Sequence, residues 1–105
     1  MDIIKSSFKH YERLHLNGEI DLHNSSILRE TLLSMLSAEQ HVLVDFSELQ
    51  YIDSSGIAAL VESFNVAKKQ SLEFKILGAC GSPLQVLELT RLVSVFPMVD
   101  SETCL

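Results

Sequence analysis

Val42-Leu-Val-Asp-Phe-Ser-Glu-Leu-Gln-Tyr-Ile-Asp-Ser-Ser-Gly-Ile-Ala-Ala-Leu-Val-Glu-Ser-Phe-Asn-Val-Ala-Lys-Lys69 decides the fold. Its first five residues, Val42 to Phe46, are apolar except Asp45. Continuous apolar character at strand length predicts a central strand covered on both faces. Its last part, Gly56 to Lys69, carries Ile57, Leu60, Val61 and Phe64 at helical spacing, with Ala58 and Ala59 permitting close packing beside them. Between the two lies a short loop ending in Asp53-Ser54-Ser55-Gly56. Aspartate and serine are the residues that cap helix starts, because their oxygens accept from backbone N–H groups left free in the first turn. One cap needs one such residue, and three stand here in a row. The surplus sits at the end of a central strand, where α/β folds tend to hold their functional groups.

Working outward on the N-terminal side, Ile3 to Phe8 reads as an edge strand. Tyr11 to Leu16 alternates as a half-buried strand, with the hairpin turn near Lys9 and His10. Asn17-Gly18 is a turn signal that closes the second strand. Asn24 or Ser25 caps a helix to about Ser37, with Leu28, Leu32, Met35 and Leu36 on one stripe. On the C-terminal side, Glu73 to Leu77 is a second buried strand and Gly78 ends it. Ser82 caps a third helix with Pro83 at its first position, where the missing N–H is not needed. Leu92 to Val99 is a short strand or turn-rich segment interrupted by Pro97. The order β-β-α-β-α-β-α plus a terminal element predicts an α/β fold. It would be a small mixed sheet of four to five strands with three to four helices, in one domain over residues 1–105.

Composition narrows the function. The 105 residues are 47% hydrophobic and 21% charged, with a net charge of −6. A chain of this length buries roughly 65% of its unfolded surface, enough for one core without staples. The eight basic residues are scattered, so no nucleic-acid surface and no anionic-membrane surface is expected. Residues 1–10 lack the apolar core of a secretory leader, and no apolar run approaches the ~20 residues of a spanning helix. A cytoplasmic protein without membrane insertion is expected. Cys80 and Cys104 have no metal-site or C-x-x-C spacing, and reduced thiols are expected.

Enzyme readings find little support. His10, His15, His23 and His41 have no i, i+4 pair, so no metal site is expected. A Ser-His-Asp arrangement is open by arithmetic alone, since no G-x-S-x-G elbow is present. Glu19 and Asp21 could act as an acid–base pair, although two carboxylates near a turn are ordinarily just solvated. Neither a P-loop nor a G-x-G-x-x-G occurs, so no nucleotide cofactor, and no cofactor of any kind, is expected. The remaining possibility is that a serine at the helix start serves another protein's active site. Phosphorylation would add roughly −1.5 to −2 charges there. Helix N–H groups could hold the phosphate, while Asp53 and Asp21 would repel it.

Three pieces of sequence resemble the STAS domain family, and within it the bacterial anti-sigma-factor antagonists. They are Gly18-Glu19-Ile20-Asp21 before the first helix, Val44-Asp45-Phe46-Ser47 with Leu49 and Ile52, and Asp53-Ser54-Ser55-Gly56-Ile57. The resemblance covers nearly the whole chain. It implies a non-catalytic switch in which Ser54, the serine directly after the aspartate, is phosphorylated, with Asp53, Ser55 and Gly56 supporting it. Ser55 would be the cap or a supporting hydroxyl. The implied partners are an anti-sigma factor that is also an ATP- and magnesium-dependent serine kinase, and a phosphoserine phosphatase. The unphosphorylated form would bind the anti-sigma factor and free a sigma factor. Gly18, Glu19, Asp21, Ile52 and Ile57 would lie at the partner surface. The family also includes cytoplasmic partners of lipid-transport ABC systems, so an ABC permease or ATPase is the alternative partner; the doubled serine favours the phosphorylation switch. Two positions depart from the family pattern. Ala58 stands where a second glycine is common, and Gln70-Ser71 stand where a glycine usually ends the helix, which would weaken a left-handed cap.

Overall fold

The computed structural model describes all residues from Met1 to Leu105. Five strands, β1 (Asp2–Phe8), β2 (Tyr11–Ile20), β3 (His41–Ile52), β4 (Phe74–Leu77) and β5 (Met98–Val99), form one sheet in the order β1-β2-β3-β4-β5. The β1–β2 hairpin is antiparallel, and every other pair is parallel. Helices α1 (Ser25–Ser37), α2 (Ser54–Lys69) and α3 (Gly81–Leu89) supply the crossovers that parallel neighbours require. The expected small mixed α/β sheet is therefore present, with three α-helices and two single 3₁₀ turns at Leu92–Ser94 and Glu102–Cys104.

All three helices stack on one face of the sheet. Leu28, Leu32, Met35 and Leu36 of α1, Leu60 and Phe64 of α2, and Leu87 of α3 share a continuous core with Leu14, Leu16, Val42, Val44 and Phe46. Phe64, Phe74 and Phe96 close one end of it, with ring centroids 5.3–6.1 Å apart and near-perpendicular contacts from Phe64. The opposite face of β3 is not covered by helices, contrary to the expectation from its apolar run. Leu43 packs there with Tyr11 and Leu77, and with Phe8, Val99 and Leu105 around them. Beside this small cluster the Asp45 carboxylate, paired with Arg13 and His15, interrupts the apolar surface on that side.

Four local features differ from expectation. The segment Ser47 to Ile52, expected as loop, continues β3. Its buried residues Phe46, Leu49 and Ile52 are spaced by three instead of two, which masks a strand from a period-two reading. The spacing is accommodated by register shifts against β2 between His15 and Asn17 and between Gly18 and Glu19. Asn17-Gly18 is accordingly not a turn; Gly18 takes φ +90 inside β2 at the second shift. At α3, Cys80 occupies the N-cap with no side-chain cap bond, and Ser82 lies inside the helix. At the end of α2 the left-handed cap forms without glycine. Ser71 takes φ 58, and the Leu72 N–H reaches the Ala67 carbonyl at 2.9 Å.

Candidate functional site

The site forms where the C-terminal ends of β2 and β3 meet the first turn of α2. Asp53 has an extended backbone at the N-cap. Its carboxylate accepts from the Ser55 N–H at 2.9 Å, the Gly56 N–H at 3.3 Å and the Ser55 hydroxyl at 2.5 Å. Asp53 is thus the cap, and of the two roles expected for Ser55, cap or supporting hydroxyl, it takes the second. Ser55's hydroxyl, with smaller help from the Gly56, Ser55 and Leu22 backbone N–H groups, holds the Asp53 carboxyl below the ordinary aspartate range.

Neither neighbour restrains Ser54. It is exposed in the first turn of α2, and its hydroxyl makes no hydrogen bond to the rest of the chain. The two serines therefore differ in kind. One hydroxyl is donated to Asp53, and the other points at solvent. Asp53 also fills the N–H groups of Ser55 and Gly56, which had been expected to be open to a phosphate. A phosphate on Ser54 would stand beside the Asp53 carboxylate, outside that cradle.

Gly56 lets the helix start sit this low on the sheet. A Cβ at Gly56 would lie 2.6 Å from Ile52 Cγ1 and 2.7 Å from Ile20 Cγ2. Ile52, expected at a partner surface, is 1% exposed and faces the core, so it supports the site from beneath. Ala58 is exposed next to the site and is not pressed against anything that would demand glycine.

The loop before α1 is fastened to the same junction. The Asp53 N–H donates to the Ile20 carbonyl at 3.1 Å. Asn24, expected to cap α1, uses its side chain on the loop instead. It accepts from the Asp21 N–H at 2.8 Å and donates to the Glu19 carbonyl at 2.9 Å. The Asp21 carboxylate accepts from the His23 N–H at 2.9 Å, and so serves the turn. These bonds bring Gly18, Glu19 and Asp21 together with Asp53–Ile57; Glu19 is exposed, and Gly18, Asp21 and Ile57 are half-buried.

Two further surface residues belong to this end and were not picked out from sequence. Leu22 is 77% exposed in the loop, and Tyr51, paired with Glu19 across β2–β3, is 42% exposed. Leu22 carried a signal, an apolar residue between Asp21 and His23-Asn24 with no helical partner. Tyr51 became identifiable only with the bulged register.

The groups considered for catalysis are dispersed. His10 pairs with Glu73 at 2.5 Å, His41 accepts from the Glu73 N–H, and His15 lies between Asp45 and Glu48. No histidine bonds to Ser54 or Ser55, so the Ser-His-Asp arithmetic is not realised. No group of three His, Cys, Asp or Glu side chains is placed to hold a metal ion. The larger of the two clefts, about 310 Å³, is lined by Lys9, His10, Tyr11 and His41 at the far end of the strands from Ser54. No helix is long and apolar enough to cross a membrane.

The STAS domain family model matches residues 9–103, and the chain belongs to that family. It is 24% identical over 83 residues to the anti-sigma-B factor antagonist of Bacillus subtilis, covering 79% of this chain and 76% of the relative. Its fold superposes on an anti-sigma factor antagonist from Mycobacterium paratuberculosis with TM-score 0.88 at 16% identity, covering 97% of this chain and 87% of the other. It superposes on the Bacillus cell fate determinant SpoIIAA in its phosphorylated form with TM-score 0.75 at 16% identity, covering 97% and 94%.

Proposed function

We propose that this protein is an anti-sigma-factor antagonist. Its unphosphorylated form binds an anti-sigma factor that is also a serine kinase, and phosphorylation of Ser54 ends the binding. The observation that carries this reading is the contrast between the serines: Ser54 offers an exposed, unbonded hydroxyl, and the Ser55 hydroxyl is engaged by Asp53. The reading is supported by the relatives, which are anti-sigma factor antagonists, among them SpoIIAA, solved in both an unphosphorylated and a phosphorylated form.

The switch works by charge and bulk at a surface that does not refold. Glu19, Asp21 and Asp53 already make this end acidic. A phosphoserine adds roughly −1.5 to −2 charges among them. Because Asp53 keeps the helix N–H groups, the new charge stays exposed at the partner contact. Leu22 and Tyr51 supply apolar contact area of the sort that dominates interface energy, and Gly18, Glu19, Asp21 and Ile57 complete the docking surface. The kinase brings ATP and magnesium, and a phosphoserine phosphatase resets the chain.

The test is phosphorylation by the cognate kinase followed by site mapping by mass spectrometry. Phosphate is expected on Ser54 alone. Ser54→Ala should abolish incorporation with stability within about 0.5 kcal/mol of the parent, and Ser54→Asp should weaken anti-sigma-factor binding. Phosphate on Ser55, or on neither serine, would overturn the assignment. Co-purification of an ABC permease or ATPase in place of the kinase would point to the lipid-transport reading.

A further inference from the structure

The two strands that deliver the site do not reach it in simple register. His15 lies opposite Asp45, Asn17 opposite Glu48, Glu19 opposite Tyr51 and Ile20 opposite Ile52. Had the His15–Asp45 offset continued, Ile20 would face Gln50 and the Asp53-to-Ile20 backbone bond could not form. The two shifts are therefore what brings the Gly18–Asp21 loop level with Asp53–Gly56.

The first shift is built on Asp45. This carboxylate is 2% exposed, on the face without helices. One oxygen accepts from the Ser47 N–H at 2.9 Å. Ser47 lies within the shift and has no Cα partner on β2 or β4. The other oxygen forms an ion pair with Arg13 Nη2 at 3.1 Å and lies within hydrogen-bond distance of His15 Nδ1, at 3.2 Å. Arg13 continues to Glu102, and His15 to Glu48 at 3.5 Å. A lone buried carboxylate is strongly unfavourable; this one is bonded on both sides. It ties the bulge in β3 to the strand beside it.

We propose that Asp45 is a positioning residue for the Ser54 site, holding the bulge at Ser47 and so setting the register in which the two loops meet. Its effect on phosphorylation rests on the function proposed above; its effect on register does not. Asp45→Ala removes the acceptor for Ser47. Asp45→Asn keeps an oxygen in the same place and loses the charge. His15→Gln removes one β2 contact and leaves the Asp45–Ser47 bond.

The experiment is amide hydrogen exchange and NMR on these variants without any partner, followed by phosphorylation kinetics with the cognate kinase. In Asp45→Ala the Ser47 amide should exchange about tenfold faster, the size of a charge-assisted hydrogen bond. The amide signals of Glu19–Asp21 and Asp53–Gly56 should move, with those of β1 and α3 in place. Asp45→Asn should largely restore both, and His15→Gln should leave the site signals near the parent positions. The KM for the chain as kinase substrate should rise more than kcat falls. A folded Asp45→Ala protein with unmoved site signals would overturn the proposal. Should Asp45→Ala fail to fold, a freely exchanging Ser47 amide in the parent protein would overturn it equally. Intact register effects with no phosphate on Ser54 would condemn only the functional reading.

Discussion

The two halves of β3 are built by different rules. From His41 to Asp45 the strand pairs residue for residue with β2, and from Val42 to Asp45 with β4 as well, and Val42 and Val44 face the helix layer at the two-residue period. From Phe46 to Ile52 it has left β4, slips twice against β2, and buries every third residue. The first half is held by apolar packing. The second is held by packing below and by two carboxylates, Asp45 just before its start and Asp53 just beyond its end. Regular pairing anchors the sheet; departure from it aims the backbone at the junction where Ser54 is presented. Bulges beside functional sites commonly serve to re-aim a chain in this way.

The largest expected effect comes from the boundary between the halves. Phe46 is fully buried against the helix layer. Phe46→Ala should lower the unfolding free energy by about 3–5 kcal/mol, read from chemical denaturation. A loss under 1 kcal/mol would mean that the core is not anchored there. Gly56→Ala probes the far end. Its methyl meets Ile52 and Ile20 side chains at under 3 Å, so either the helix start or these two buried isoleucines must shift. A destabilisation of about 1–3 kcal/mol is expected, along with displaced NMR signals for Ser54 and Ser55. Unchanged signals would show that the low seat of α2 is not required.

Acid should separate the halves most gently. Burial works to raise the Asp45 carboxyl, but the Ser47 N–H and hydroxyl, His15 and Arg13 outweigh it and hold it below the ordinary value of 3.8. Asp53 is lowered chiefly by the Ser55 hydroxyl. Both groups are depressed in the folded state. Their contribution is complete above 3.8 and is lost as the pH falls through the lower folded values. Protection from hydrogen exchange, taken relative to the intrinsic rate at each pH, should fall at Ser47, Ser55 and Gly56 before it falls at Val42 and Val44, whose amides donate to no carboxylate. Simultaneous loss of protection would erase the distinction between the halves.

Much of this was legible from residues alone. The alternation of Tyr11 to Leu16, the stripe of Leu28, Leu32, Met35 and Leu36, and the Asp-Ser-Ser-Gly start of α2 are local patterns with local physical causes. The remaining features depend on contacts outside any local window. A three-residue spacing of Phe46, Leu49 and Ile52 matches neither a flat strand nor a helix, so periodicity alone points to a loop where the strand continues. Asn17-Gly18 has turn chemistry, and the same left-handed freedom served a bulge. Asn24 has capping chemistry, and its amide was claimed by the Glu19–Asp21 loop.

The sequence by itself determined the element order, the apolar faces and the presence of capping groups at a strand end, because propensity, periodicity and capping act within a few residues. It also carried the resemblance to the STAS family. Only the tertiary structure decided that all three helices share one face, that Ile52 lies beneath the site, and that Ser54 is free while Ser55 is bound. Each of these depends on which distant groups come together: Ile20 with Asp53, Arg13 and His15 with Asp45, and Ile20 and Ile52 with Gly56. Pairing across a sheet is settled by competition among many possible partners, and no window of neighbouring residues contains that competition.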